Sequence, residues 1–132
     1  MYIAYGMHHL VNFVTEVKGY PGAVLVRAVR PEWGVRIMSR RRGRTRLRDL
    51  ASGPSKLCQA MDIDLRLNGT SLRGPELVVR YDGLEEKSVE CGPRVGISVG
   101  TEKPWRFWVS ENPYVSPGRP GPPGRRLRRK TG

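Results

Sequence analysis

The sequence predicts an α+β domain in which short antiparallel strands outnumber a few short helices. Three observations lead to that class. Aromatic and β-branched residues fill the first 30 positions, helical spacing is confined to the segment from 31 to 61, and strand-like runs return after position 75. A chain of 132 residues has room for a single such domain. We expect it to span residues 1–116.

The N-terminal strands are predicted from composition. Residues 2–7 and 9–17 are rich in aromatic and β-branched side chains, and Gly6 permits a bend between them. Residues 18–22 contain two glycines and a proline, which is typical of a turn. The run 23–29 is the most hydrophobic of the chain and predicts a buried central strand. Antiparallel β structure is therefore expected over the first 30 residues.

The rest of the chain is expected to hold the helices and the remaining strands. Pro31 suits the first turn of a helix. Helical pieces follow between 47 and 61, interrupted by a serine-glycine-proline-serine sequence in which Ser52 or Ser55 could cap the second piece. Short strands are predicted at 76–81, 95–99 and 105–109.

Basic charge is the strongest signal in the composition. The chain carries 24 basic and 12 acidic residues, a net charge of +12, which favours a polyanionic partner. Seven arginines and no acid lie between positions 36 and 48. A solvated loop without a specific role is the alternative, but arginine at this density favours phosphate contact. The predicted phosphate ligands are Arg40, Arg41, Arg42, Arg44 and Arg46.

The segment 117–132 differs in composition from everything before it. It holds six basic residues, four prolines and four glycines. Such a composition cannot build a hydrophobic core, so we expect a disordered basic tail.

Several chemistries are disfavoured by motifs that the sequence lacks. His8 and His9 would point to opposite faces of a strand, and there is no HExxH motif or cysteine–histidine cluster, so no metal or other cofactor is expected. There is also no phosphate-binding glycine loop and no nucleophile elbow. Cys58 and Cys91 predict reduced thiols in a cytoplasmic protein, and no apolar run has the length of a membrane span.

The two tyrosines near the N-terminus allow two interpretations. Tyr2 and Tyr5 are three positions apart, so on a strand they would face opposite sides. An outward aromatic ring beside a basic surface can wedge into a stack of bases. On spacing alone, however, two core or edge-strand tyrosines are the simpler interpretation.

Ordered blocks between residues 2 and 116 resemble the alkyladenine (3-methyladenine) DNA glycosylases. The first block, Tyr-Ile-Ala-Tyr-Gly-Met-His-His-Leu-Val-Asn at 2–12, is similar to the hairpin segment of that family. Further blocks follow in the family's order at 22–28, 52–60, 92–97, 103–108 and 112–116. The resemblance covers only the C-terminal part of a usual member, so we expect the N-terminal part of the family fold to be missing.

The resemblance implies an enzyme of base-excision repair with a curved antiparallel sheet, a protruding β-hairpin and no metal. Such enzymes flip an alkylated purine out of double-stranded DNA and hydrolyse its N-glycosidic bond. The resemblance assigns Tyr5 to the gap left by the flipped nucleotide and Tyr2 to stacking on the flipped base. It assigns Asn12 to the pocket floor, where it rejects guanine. Arg27 and the carbonyl of Val95 would hold the attacking water.

Elementary chemistry is consistent with these implied roles. Alkylation at N3 or N7 makes a purine cationic and hence a good leaving group, and an aromatic face attracts such a cation by about 1–2 kcal/mol when desolvated. Flipping costs a few kcal/mol and costs least for a damaged pair.

One part of the family pattern is absent. The family's general base is a glutamate in a Glu-x-Glu-Ala-Tyr motif ahead of the hairpin, and this chain has no such motif. Losing a general base costs about 10²–10⁴-fold in rate, so we expect a truncated, monomeric member that is weak or inactive. A non-enzymatic basic nucleic-acid-binding module is the main alternative. A ribosome-associated basic protein would explain the charge but not the ordered blocks.

Overall fold

The computed structural model describes residues 2–4, 8–83, 88–117 and 125–126. The chain divides into two compact units, Met1–Arg80 and Tyr81–Gly132, and each is described here by itself. Short antiparallel strands and short helices make up the structure, which confirms the predicted α+β class. Among the described residues, no helix combines the length and the apolar character needed to cross a membrane. The domain extent of 1–116 stays a prediction.

Two antiparallel strand pairs open the first unit. The pairs are β1 (Tyr2–Ala4) with β2 (His8–Leu10), and β3 (Asn12–Val14) with β4 (Ala23–Leu25). Backbone hydrogen bonds extend the second pair at both ends, from Thr15 N–H to the Gly22 carbonyl and from Val26 N–H to the Val11 carbonyl, each 3.1 Å long.

The prediction of a buried central strand over 23–29 is wrong. β4 ends at Leu25 and pairs with β3 alone among the described residues, and Val24 is 54% exposed. A continuous apolar run shows that a segment is hydrophobic, but it does not show how many of its faces are covered.

Two eight-residue helices follow the strands. α1 (Val35–Arg42) begins after Gly34, whose φ of 72° is left-handed, and ends at Gly43, whose φ is 61°. Pro31 therefore lies ahead of the helix, because the left-handed backbone at Gly34 prevents an earlier start. α2 (Pro54–Met61) has Pro54 in its first turn, a favoured position.

Neither serine proposed as a cap acts as one. The N-cap of α2 is Gly53, without a side-chain hydrogen bond to the helix. α2 ends at Asp62, whose φ of 56° is left-handed. Short 3₁₀ turns are formed by Leu47–Asp49 and Leu65–Leu67.

The hydrophobic core of the first unit lies between the strands and α2. Val11 and Phe13 lie on either side of Asn12 in the sequence. Both pack with the buried residues of α2. Full burial of a leucine such as Leu57 stabilises the fold by about 1.5–3 kcal/mol. The buried residues of this cluster are Val11, Ala51, Leu57, Cys58, Ala60 and Ile63. Asn12 is left to the opposite face of the sheet.

The second unit contains a sheet whose central strand was not predicted. β5 (Val89–Gly92) lies between β6 (Arg106–Val109) and β7 (Arg125–Arg126), and both pairings are antiparallel. β7 falls within the predicted disordered tail, and most of that segment lies outside the described residues, so the prediction for it is not tested. β6 matches the strand predicted at 105–109.

Two predicted strands are wrong. Residues 95–99 form bends, because Gly96 adopts a left-handed φ of 78° within the run. Residues 76–81 contribute only one isolated bridge, between Arg73 and Val78. Apolar residues in a loop and in a strand have the same local pattern over so few positions.

Candidate nucleic-acid interface

A cavity of about 400 Å³ lies beside β3 in the first unit. Its wall combines apolar side chains with the polar residues Asn12, Thr70, Ser71 and Arg73. The Nδ2 amine of Asn12 is buried and has no hydrogen-bond partner within the described part of the chain. A buried donor without a partner is costly in a folded protein and is seldom left so without a reason. Asn12 therefore combines a place in the cavity lining with a buried donor that has no partner among the described residues.

The register of β3 and β4 fixes the position of one predicted site residue, Asn12. Asn12 is the direct partner of Leu25, and directly opposed residues of an antiparallel pair share a face. Arg27 is half-buried and lies two positions beyond Leu25, directly after the hydrogen bond from Val26 N–H to the Val11 carbonyl.

The backbone of a third predicted residue, Tyr2, belongs to the first strand pair. Tyr2 of β1 is the register partner of Leu10, and Leu10 is two positions before Asn12 in the sequence.

For two further predicted site residues, the structure gives no position relative to Asn12. Tyr5, the proposed wedge, lies outside the described residues. Val95, whose carbonyl was expected to contact the attacking water, belongs to the second unit, where it is half-buried immediately before Gly96.

The five predicted phosphate ligands divide into two kinds. Arg40, Arg44 and Arg46 are exposed, and within the described ranges no hydrogen bond or ion pair engages their side chains. Arg41 and Arg42, in contrast, fold back onto the protein. This difference could not be read from the run of arginines.

The contacts of these two arginines join α1 to the segment that carries α2. Arg41 Nη1 donates to the Ala60 carbonyl at 3.1 Å, and Arg42 Nε donates to the Leu50 carbonyl at 3.0 Å. Gln59 accepts from Arg42 Nη1 at 2.5 Å and donates back to the Arg41 carbonyl at 3.1 Å. Ala60 is in the last turn of α2, where carbonyls lack helical partners. Arg41 and Arg42 therefore serve first as a clip between the helices.

One of the two adjacent histidines, His8, contacts a helix. Ser55 Oγ lies 3.2 Å from His8 Nδ1, which links β2 to the first turn of α2. Within the described ranges, no three histidine, cysteine, aspartate or glutamate side chains gather closely enough to hold an ion.

Comparisons with known proteins agree with the sequence resemblance. The sequence model of the methylpurine-DNA glycosylase family matches residues 1–113. A protein of Prosthecochloris aestuarii named "Putative 3-methyladenine DNA glycosylase" is 43% identical over 129 residues, covering 97% of this chain and 62% of its own. Proteins with the same name from Salinibacter ruber and Methanocella arvoryzae are 44% and 42% identical, and cover 91% and 92% of this chain.

These similarities show the family of the chain and how much of its relatives' length the chain covers. The chain belongs to the methylpurine-DNA glycosylase family. It spans 59–62% of the length of these relatives.

Proposed function

We propose that this chain forms the base-recognition part of a DNA-3-methyladenine glycosylase that acts on double-stranded DNA in the cytoplasm as a monomer. The observation that carries the proposal is that Asn12, the register partner of Leu25, lines a cavity and holds a buried amide donor without a partner among the described residues. In the reaction, water adds to C1′ of the deoxyribose while the bond from C1′ to the alkylated purine breaks. The base leaves with the bonding electrons, which neutralise its positive charge.

Asn12 is proposed to set which purine is accepted. Its Nδ2 group is a donor, so it matches a purine edge that carries an acceptor. Guanine presents its own 2-amino donor there, and two facing donors leave both unpaired. An unsatisfied buried donor costs about 1–3 kcal/mol, which is enough to disfavour undamaged guanine.

Arg27 is proposed to position the attacking water. The guanidinium offers donors to the water oxygen. One proton of the water stays on the new hydroxyl of C1′, and the other must pass to a general base. The glutamate motif that supplies this base in the family does not occur in the sequence, so we expect lesion binding with weak or no hydrolysis.

Binding to damaged and undamaged DNA tests the proposal. The purified chain should bind a duplex with a 3-methyladenine lesion or an abasic site more tightly than the same duplex undamaged, because the lesion lowers the cost of flipping. Tyr5→Ala should abolish this preference, and Lys18→Ala, an exposed turn residue outside the site, should keep it. Equal affinity for both duplexes would favour a non-enzymatic basic module instead.

Release of free base tests the expected weakness of hydrolysis. Methylated duplex DNA incubated with residues 1–132 should yield 3-methyladenine slowly, if at all, when the products are separated by chromatography. Robust release would show that the missing glutamate motif is replaced within this chain.

Asn12 can be tested by substitution. Asn12→Ala should raise the affinity for duplexes with guanine at the target position by about tenfold relative to those with adenine, since the facing donor is gone. Asn12→Asp, which replaces the donor with an acceptor, should favour guanine further. Unchanged discrimination in both variants would remove Asn12 from the proposed pocket.

A further inference from the structure

Two cations in the second unit share one tryptophan ring. The guanidinium carbon of Arg94 lies 5.2 Å from the centroid of Trp105, and Lys103 Nζ lies 4.6 Å from the same centroid. The indole is 56% exposed. The three side chains therefore form a cationic stack at the surface.

The stack lacks a negative partner. No ion pair engages either cation within the described ranges, and Glu102, the adjacent acid, does not bridge to Lys103. The ring face attracts both charges, but it does not cancel their mutual repulsion. An anion placed between or beside them would lower the energy of the arrangement.

The Arg94 guanidinium lies near both the Trp105 ring and the backbone at Gly100. Its Nε is buried and has no hydrogen-bond partner within the described part of the chain. A Cβ built on Gly100 would come within 2.9 Å of Arg94 Nη2, so the guanidinium passes closely over a glycine that adopts a φ of 72°. Ring and glycine thus fix the guanidinium, while its hydrogen-bonding capacity stays available.

From this geometry we infer that Arg94 and Lys103, stacked on Trp105, bind the phosphodiester backbone of DNA. Arginine offers a planar fork of donors to phosphate and lysine offers a point charge. The inference rests on the proposed function for the identity of the polyanion. It adds a phosphate contact outside the arginine run between positions 36 and 48.

The salt dependence of binding measures such contacts. Each phosphate contact adds about 0.9 to the slope of log affinity against log salt concentration on duplex DNA. Fluorescence anisotropy with an end-labelled undamaged duplex, titrated at several KCl concentrations, should give a slope for Arg94→Gln/Lys103→Gln that is smaller by about one to two. Lys18→Gln, which removes one exposed charge elsewhere, should leave the slope unchanged.

A third variant separates the ring from the charges. Trp105→Leu keeps both cations but removes the surface that aligns them, so it should weaken binding with a smaller change in slope than the double variant. Thermal unfolding followed by circular dichroism identifies any variant that fails to fold. For a double variant that does not fold, Arg94→Lys with Lys103→Gln retains one charge on the ring and should lower the slope by about one.

The outcomes distinguish this inference from the proposed function. An unchanged slope in folded variants overturns the inference while leaving lesion recognition intact. Wild-type protein that binds no duplex at all overturns both. Loss of binding to labelled polyglutamate, with DNA binding retained, would assign the stack to an acidic protein partner and would also overturn the inference.

Discussion

Single residues in this structure owe their chemical state to very local surroundings. Cys58 is 2% exposed, and burial raises the pKa of its thiol, although a hydrogen bond from the Val11 backbone opposes the shift. Asp64 shows the reverse. Hydrogen bonds from the Arg66 side chain and backbone, the former 2.9 Å long, lower the pKa of its carboxyl. Burial thus makes one group less reactive, and a neighbouring charge keeps the other ionised.

Cys58 should react slowly in the native protein. The raised pKa lowers the thiolate fraction, and the thiolate is the nucleophile. In a Cys91→Ala variant, labelling by a chromogenic disulfide reagent at pH 8 should be far slower than for a free thiol and should accelerate with urea. Labelling at the rate of free cysteine without denaturant would contradict the buried position.

Asp64 should contribute to acid sensitivity. Since its folded pKa lies below the ordinary value of 3.8, its contribution is present above that value and is lost as pH falls through the folded pKa. Asp64→Asn should therefore flatten the decline of Tm on acidification below pH about 4. Glu102→Gln, an exposed acid elsewhere, serves as the control. A decline as steep as that of the wild type would show that the pair with Arg66 does not persist in solution.

At the scale of elements, neighbouring arginines of one helix have different uses. Arg42 donates to the Leu50 carbonyl and to Gln59, so removing it leaves the partly buried Leu50 carbonyl without this donor. Arg40 is exposed and makes no such contact among the described residues. The same helix therefore supplies both a structural clip and a charged surface.

These two arginines should give opposite phenotypes. Arg42→Ala should lower the free energy of unfolding by about 1.5–3 kcal/mol and leave the salt slope of DNA binding unchanged. Arg40→Ala should change stability by less than about 0.5 kcal/mol and lower the slope by about 0.9. Urea denaturation and salt titration measure the two quantities. Equal stability loss in both variants would contradict the clip.

The end of α1 depends on a glycine conformation. A Cβ at Gly43 meets no atom within 4 Å, so only the left-handed backbone, with its φ of 61°, resists substitution. Gly43→Ala should therefore destabilise the protein by about 1–2 kcal/mol. Gly43→Asn should cost less, because asparagine tolerates this conformation. Urea denaturation of the two variants checks the order, and a smaller cost for alanine would contradict the assignment.

Over the whole molecule, excess positive charge should limit stability. A net charge of +12 repels itself in the compact state. Raising NaCl from 10 to 150 mM shortens the screening length from about 30 to 8 Å, so Tm should rise by several degrees. Differential scanning fluorimetry measures this. A Tm that falls with added salt would mean that specific ion pairs outweigh the general repulsion.

How much the sequence could predict depended on how local each feature is. The turn at 18–22 and the strand at Arg106–Val109 follow from local composition, and both were found. β5 was missed because its pairing is not local: Glu90 accepts hydrogen bonds from Trp108 Nε1 and Ser110 Oγ, about 20 positions away. The pairing of Asn12 with Leu25 depends on a strand register that composition does not encode. The roles of Asn12 and Arg27 came from family resemblance alone and stay predictions.

The clip between the helices has a consequence for how this segment can change during evolution. Lysine could replace arginine at 40, 44 and 46 with little loss, because a bare positive charge suffices there. At 42, the side chain must donate from two nitrogens to two separate oxygens at once, which an ammonium on a flexible stem does poorly. Related sequences should therefore drift freely between the two basic residues at the outer positions and retain arginine at 42.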